Sequence, residues 1–126
     1  MKRREAREKA IQTLFQLENT ELSVDEAITY ITEEPTNSFY ELLVRGTVQN
    51  QEAIDNTLTG SLENWSLDRL PKIERTVLRL AVFELLYNED VPDRVVLNEA
   101  IELCKTFGDE KSGRFVNGVL SKLTKK

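Results

Sequence analysis

The stretch Pro92 to Leu120, PDRVVLNEAIELCKTFGDEKSGRFVNGVL, reads as helix, tight break, helix. Val96, Ala100, Leu103 and Phe107 recur at i, i+4, i+7 and i+11, which is one apolar face of an α-helix. Gly108 follows, where a left-handed C-terminal cap costs glycine least. Asp109 and Ser112 both suit the N-cap of the next helix. Val116, Val119, Leu120 and Leu123 then form a second apolar face. Between these residues lie Asn98 and Glu99 on one helix, and Lys111, Arg114 and Asn117, with Phe115 among them, on the other. The stretch therefore predicts a packed helical pair with a basic, amide-rich edge. That edge is either a binding surface or a solvated rim.

Upstream, Val77 to Tyr87, VLRLAVFELLY, is apolar except for Arg79 and Glu84. A helix apolar nearly all round is buried on several sides, so this is the expected central helix. Pro71 begins or kinks it, and its entry, Lys72, Glu74 and Arg75, is expected to be more exposed. Ser61 to Leu70 reads as a short turn-and-helix segment anchored by Leu62, Trp65 and Leu67, with Trp65 as core or boundary packing. A third helix is expected from Asn37 to Leu58, packing through Phe39, Leu42, Leu43, Gly46, Ala53, Ile54 and Leu58. Thr59-Gly60-Ser61 is its expected break. Gly46 costs about 1 kcal/mol against alanine inside a helix, so a close helix–helix approach is expected there. Ser23 and Glu26 have the spacing of a capping box, opening a short helix that Pro35 ends. No segment sustains period-2 alternation. The expectation is an all-α bundle of about six or seven helices, one domain over residues 1–126, with a fraying tail from Lys122.

Composition narrows the function. Histidine is absent, which removes the commonest general base and metal ligand. Cys104 is alone, so it forms neither a disulfide within the chain nor a cysteine metal cage, and reads as a small core residue. No phosphate-binding loop, dinucleotide fingerprint or zinc spacing occurs. An enzyme is not expected, nor is a cofactor or metal. No apolar run approaches the ~18 residues of a membrane span, and the charged start lacks a signal-peptide core, so the chain reads as cytoplasmic.

The formal net charge is −5, but it is segregated. Met1 to Ala10 holds five basic and two acidic side chains, as does Asp109 to Lys126, whereas Glu18 to Glu34 holds six acids and no base. Such ends form a phosphate-binding patch if the fold brings them to one face. In the first helix, Ala6, Ala10, Thr13, Leu14 and Leu17 form the expected core stripe. Arg4, Arg7, Ile11 and Phe15 share roughly the opposite side. Either a second helix covers Ile11 and Phe15, or Phe15 is a base-stacking platform beside phosphate-neutralising arginines.

The elements N-EA-EL-K-FG and FVNGVL within residues 92–120, the opening KRREAREKAIQTLFQ and the middle LPKIERTVLRLAVFELLY together resemble the NusB family of transcription antitermination factors. The resemblance spans nearly the whole chain and is weakest from Glu18 to about Leu62. It implies a NusB-like helical fold that binds boxA-type single-stranded RNA of ribosomal RNA leaders together with NusE, a small-subunit ribosomal protein. The pair would help RNA polymerase pass terminators within an antitermination complex. By position, the implied RNA surface falls on Lys2, Arg3, Arg4, Arg7, Gln12 and Phe15, and on Lys111, Arg114, Phe115 and Asn117. The implied NusE surface falls on Glu74, with Arg75, Leu78 and Phe83. Some members self-associate, so a homodimer is among the implied assemblies. Two departures stand out. Lys111 occupies a position where some relatives carry an acid, and Glu5 interrupts the arginine run. Two rival readings remain: a NusB-like domain preceding the catalytic part of a ribosomal RNA cytosine methyltransferase, and a helical interaction module without RNA specificity. The terminal lysines after FVNGVLSKL read as a natural end, which disfavours the first.

Overall fold

Helix α5, Lys72–Tyr87, touches α1 (Arg3–Leu17), α3 (Ser38–Gln49), α4 (Gln51–Ser61), α6 (Asp93–Phe107) and α7 (Glu110–Leu123), so it is the axis of the bundle. The computed structural model describes residues 1–18, 20–32 and 37–124, in which the remaining elements are α2 (Val24–Ile31) and one 3₁₀ turn, Leu67–Arg69. Thr76 to Leu78 and Leu80 to Glu84 are all buried, as its nearly all-round apolar sequence requires. The core is one contiguous cluster drawing on every helix except α2's exposed face, with Ala6, Ile11, Tyr40, Leu43, Ile54, Leu58, Val116 and Leu120 fully enclosed. Among the described residues no helix is long and apolar enough to cross a membrane.

Local hydrogen bonding sets the helix starts. Ser23 accepts from the Glu26 amide while Glu26 accepts from the Ser23 amide, the reciprocal capping box. Asn37 Oδ1 accepts from the amides of Phe39 and Tyr40 to open α3. Asp109 accepts from the Ser112 amide at 2.8 Å to open α7, so Asp109, not Ser112, is the cap. The Pro35 helix end and the last two lysines lie outside the described residues.

Several expectations are corrected. The single helix from Asn37 to Leu58 is two helices, α3 and α4, meeting at Asn50. The Asn50 side-chain amide donates to the Gly46 carbonyl at 2.8 Å, competing with the ladder as asparagine does. The turn redirects α4 against α5 and α7. Thr59, Gly60 and Ser61 are the last turn of α4 rather than a break, and Leu42 and Ala53 face solvent. Gly108 is not left-handed: its φ is −139°. Glycine suits the crowded position, because a Cβ would lie 3.0 Å from the Cys104 carbonyl and 3.3 Å from Ile73 Cγ2. Gly46 does mark a close approach, to the Phe83 ring.

Two ion-pair webs tie the helices together. Arg7, on α1, forks onto Glu84 of α5 through Nε at 2.8 Å and its second terminal nitrogen at 2.9 Å, with both side chains buried. At the other end of α1, Glu18 receives Arg75 and lies 3.7 Å from Arg79, which forks onto Asp55 of α4.

Candidate nucleic-acid interface

Helices α1 and α6 run side by side in the same direction, because Arg4 meets Glu99 at one end and Phe15 meets Phe107 at the other. Between Arg4 and Phe15 the helix rises by about 16 Å. The expected basic opening is thus one end of an elongated surface. Lys2 is exposed at the N-cap. The exposed Arg3 guanidinium lies over the Phe39 ring, 4.3 Å from its centre, a cation–π contact that orients it without neutralising it. Arg4 donates to both Glu99 oxygens, at 3.2 and 2.8 Å. That pairing holds the Glu99 carboxyl below its ordinary range against the opposing effect of burial, and raises the Arg4 guanidinium. Gln12 is exposed on the same helix.

Arg7 departs from expectation. It is 3% exposed, held by Glu84, with Glu99 3.9 Å away and Phe39 beneath it. A residue so enclosed cannot also meet a phosphate, so Arg7 is a structural residue beneath the surface. Ile11 is fully buried, as one of the two readings required. Phe15 is half-buried: Phe107 abuts it edge-on at 6.0 Å, and Lys72 Nζ sits 5.2 Å from its ring centre. An aromatic ring with a lysine against it has the chemistry to stack a planar ring and attract an anion.

Phe107 ends α6, and the close passage of Gly108 over Ile73 carries the chain into α7 beside the start of α5. The α1 surface therefore continues onto the α7 edge. Lys111 and Phe115 line an open groove of about 540 Å³ with Ile73, Glu74, Arg69 and Trp65. Lys111 and Arg114 are exposed, and Phe115 and Asn117 are half-buried. The two basic ends of the sequence thus flank one aromatic track, Phe15, Phe107 and Phe115, with Lys72 and Lys111 along it. Sequence reasoning missed Lys72, Phe107 and Arg69 as members. The signal for Lys72 was its exposed place at the first turn of α5.

The expected NusE surface is only partly exposed. Glu74 is half-buried in the same groove as Lys111. Arg75 is engaged by Glu18 and by the Leu70 carbonyl at 3.0 Å. Leu78 and Phe83 are corrected to core residues, 0% and 3% exposed, because α5 is covered on nearly every side. Trp65, expected in the core or at its boundary, is not core: it is 58% exposed and meets Phe115 edge-on. Cys104 is fully buried, and burial first, then the Glu74 and Asp109 carboxylates, pushes its thiol up to about 12. Among the described residues no group of three or more such side chains is placed to hold a metal ion.

The geometry defines an all-α bundle with an aromatic and cationic edge. The model of the NusB family matches residues 4–125. The transcription antitermination protein NusB of Lysinibacillus sphaericus is 68% identical over 124 residues, covering 98% of each chain. The T. maritima NusB structure superposes with a TM-score of 0.90 at 37% identity, covering all of this chain and 92% of that one. A chain in the crystal structure of antitermination factors NusB and NusE in complex with dsRNA superposes with a TM-score of 0.85 at 33% identity, covering 96% and 94%. The chain belongs to the NusB family.

Proposed function

We propose that this chain is a transcription antitermination factor and not an enzyme. As a single cytoplasmic RNA-binding domain over residues 1–126, it binds boxA-type single-stranded RNA of ribosomal RNA leaders together with NusE, within an RNA polymerase antitermination complex. Family membership and the relative solved with NusE and RNA support the reading. The observation that carries it is that Phe15 meets Phe107 and Lys72, while Lys111 lines a groove with Pro71, Ile73 and Gly108, the chain neighbours of Lys72 and Phe107, although α1 and α7 lie at opposite ends of the sequence. Lysines on an acidic protein supply phosphate affinity, and the aromatic faces supply base stacking. Lys2, Arg3, Arg4, Gln12, Arg114, Phe115 and Asn117 extend the surface in both directions. Glu74, which borders the groove, is the residue through which NusE contact is expected to touch the RNA surface.

Phe15→Ala is expected to weaken binding of a boxA-type RNA by at least about fivefold, because one base–aromatic stack contributes about 1–3 kcal/mol. Lys111→Glu should weaken it further at low salt and flatten the salt dependence by about 0.7 in log–log slope per lost phosphate contact. Fluorescence anisotropy with a scrambled RNA as control measures both. Unchanged affinity in the double variant, at unchanged fold stability, would remove the track from the binding surface. Adding NusE before or after RNA should give the same coupling factor, because linkage is reciprocal.

A further inference from the structure

Trp65 is the only tryptophan, and it is on the surface. It follows Asn64, whose φ of 59° is the only positive value at a non-glycine among the described residues, a conformation asparagine tolerates better than most. Phe115 meets the indole edge-on, with ring centres 6.1 Å apart at 73°. An edge contact orients the ring and leaves indole surface open. Three depressions meet at this side chain. One holds Arg114, Phe115 and Lys122, one holds Ser66 and Arg69, and the third is the Lys111 groove already described.

Two guanidinium groups free of carboxylates, Arg69 and Arg114, line the depressions around it. Arg4, Arg7, Arg45, Arg75 and Arg79 are all held by carboxylates. Among the described residues Arg69 and Arg114, like Arg3 and Arg94, have no such partner. Of the nearby acids, Glu63 and Asp109 are engaged elsewhere and Asp68 faces another pocket. Glu63 pairs with Lys122 at 3.0 Å, Asp109 accepts from the Ser112 amide, and Asp68 lines the pocket on the Arg75 side. Glu74 borders the far end of the groove.

We propose that Trp65 is a further base-stacking platform for single-stranded RNA, with Arg69 and Arg114 taking the phosphates on either side. It extends the track that runs from Phe15 to Phe115. The inference rests on the RNA-binding reading above. An oriented aromatic face between unpaired guanidinium groups suits a polyanion with π faces better than an apolar protein segment. The groove's size, about 540 Å³, is that of a small-molecule site and accommodates one nucleotide.

The test uses the full chain with NusE and a labelled boxA-type single-stranded RNA. Trp65→Ala is expected to weaken binding at least about fivefold, and Trp65→Phe to retain most of the affinity. The emission of Trp65, isolated by subtracting the Trp65→Phe sample, should quench in step with the RNA anisotropy. If anisotropy rises normally while Trp65→Ala binds as tightly and the emission stays unchanged, the platform is refuted and RNA binding elsewhere stands. If the emission responds to NusE but not to RNA, the surface is a protein contact and the inference is overturned. If the native chain with NusE binds no RNA, this inference and the proposed function fail together.

Discussion

Replacing Glu84 by alanine is expected to lower folding stability by about 3–5 kcal/mol, because it strands a buried guanidinium. Arg7 and Glu84 are 4% and 2% exposed at their side chains, and Arg7 donates two short hydrogen bonds to the Glu84 carboxylate. Glu99, 3.9 Å from Arg7, offers only partial compensation, since it is already forked by Arg4. Arg7→Ala should cost at least as much, because the carboxylate it leaves has no second cation beside it. A typical domain is stable by about 5–15 kcal/mol, so either change removes a large share. Urea denaturation measures the loss. The double variant Arg7→Met with Glu84→Leu should be far less damaged than either single alanine variant, as buried pairs replaced by packed apolar groups often are. Single variants that unfold at the native midpoint would show that the pair is open to water. The same geometry makes Arg7 a poor probe of RNA contact, since its loss is felt as unfolding.

Gly46→Ala should destabilise by about 1–3 kcal/mol, although alanine is the better helix former by about 1 kcal/mol. The added Cβ would lie 2.2 Å from Phe83 Cζ and 2.3 Å from Cε1. The ring cannot easily retreat, being 3% exposed and stacked on Tyr87 at 5.6 Å with a 22° interplanar angle. Overlap therefore outweighs propensity. Phe83→Leu in the Gly46→Ala background should recover part of the loss, a coupling that a double-mutant cycle on thermal unfolding would reveal. A Gly46→Ala protein as stable as the native one would mean that the ring swings aside at no cost.

Those two sites also show what sequence makes visible. Caps and periodic faces are local, so the Ser23–Glu26 box, the α6 and α7 faces and the central α5 could all be read directly, and the α7 cap was narrowed to Asp109 or Ser112. The single glycine in α3 correctly signalled a tight crossing. Arg7 could not be placed, because its burial depends on a carboxylate 77 positions away. One clue was present: Glu84 stands, with Arg79, in a segment apolar at every other position, and a buried carboxylate needs a cation. Leu78 and Phe83 were misplaced for the converse reason, since a helix surrounded on nearly all sides keeps few side chains for a partner. The α3–α4 joint escaped notice because one asparagine amide redirects the chain without proline or glycine. The surface itself was half legible. Its members on α1 and α7 could be named, but the joint through Phe107 and Gly108 that unites them is tertiary.

The lone thiol of Cys104 is a clock built into the α6–α7 joint. A Cβ on Gly113 of α7 would come within 3.8 Å of Cys104 Cβ, so the sulfur lies where the two helices meet. With its thiol pushed up to about 12 and no route to solvent, it should resist a thiol reagent at neutral pH until that joint parts. The labelling rate then counts openings of the helix pair that carries Lys111 and Phe115. RNA that grips this pair should slow the count, whereas RNA held elsewhere should leave it unchanged. Labelling as fast as a free peptide thiol would show that the joint is not closed.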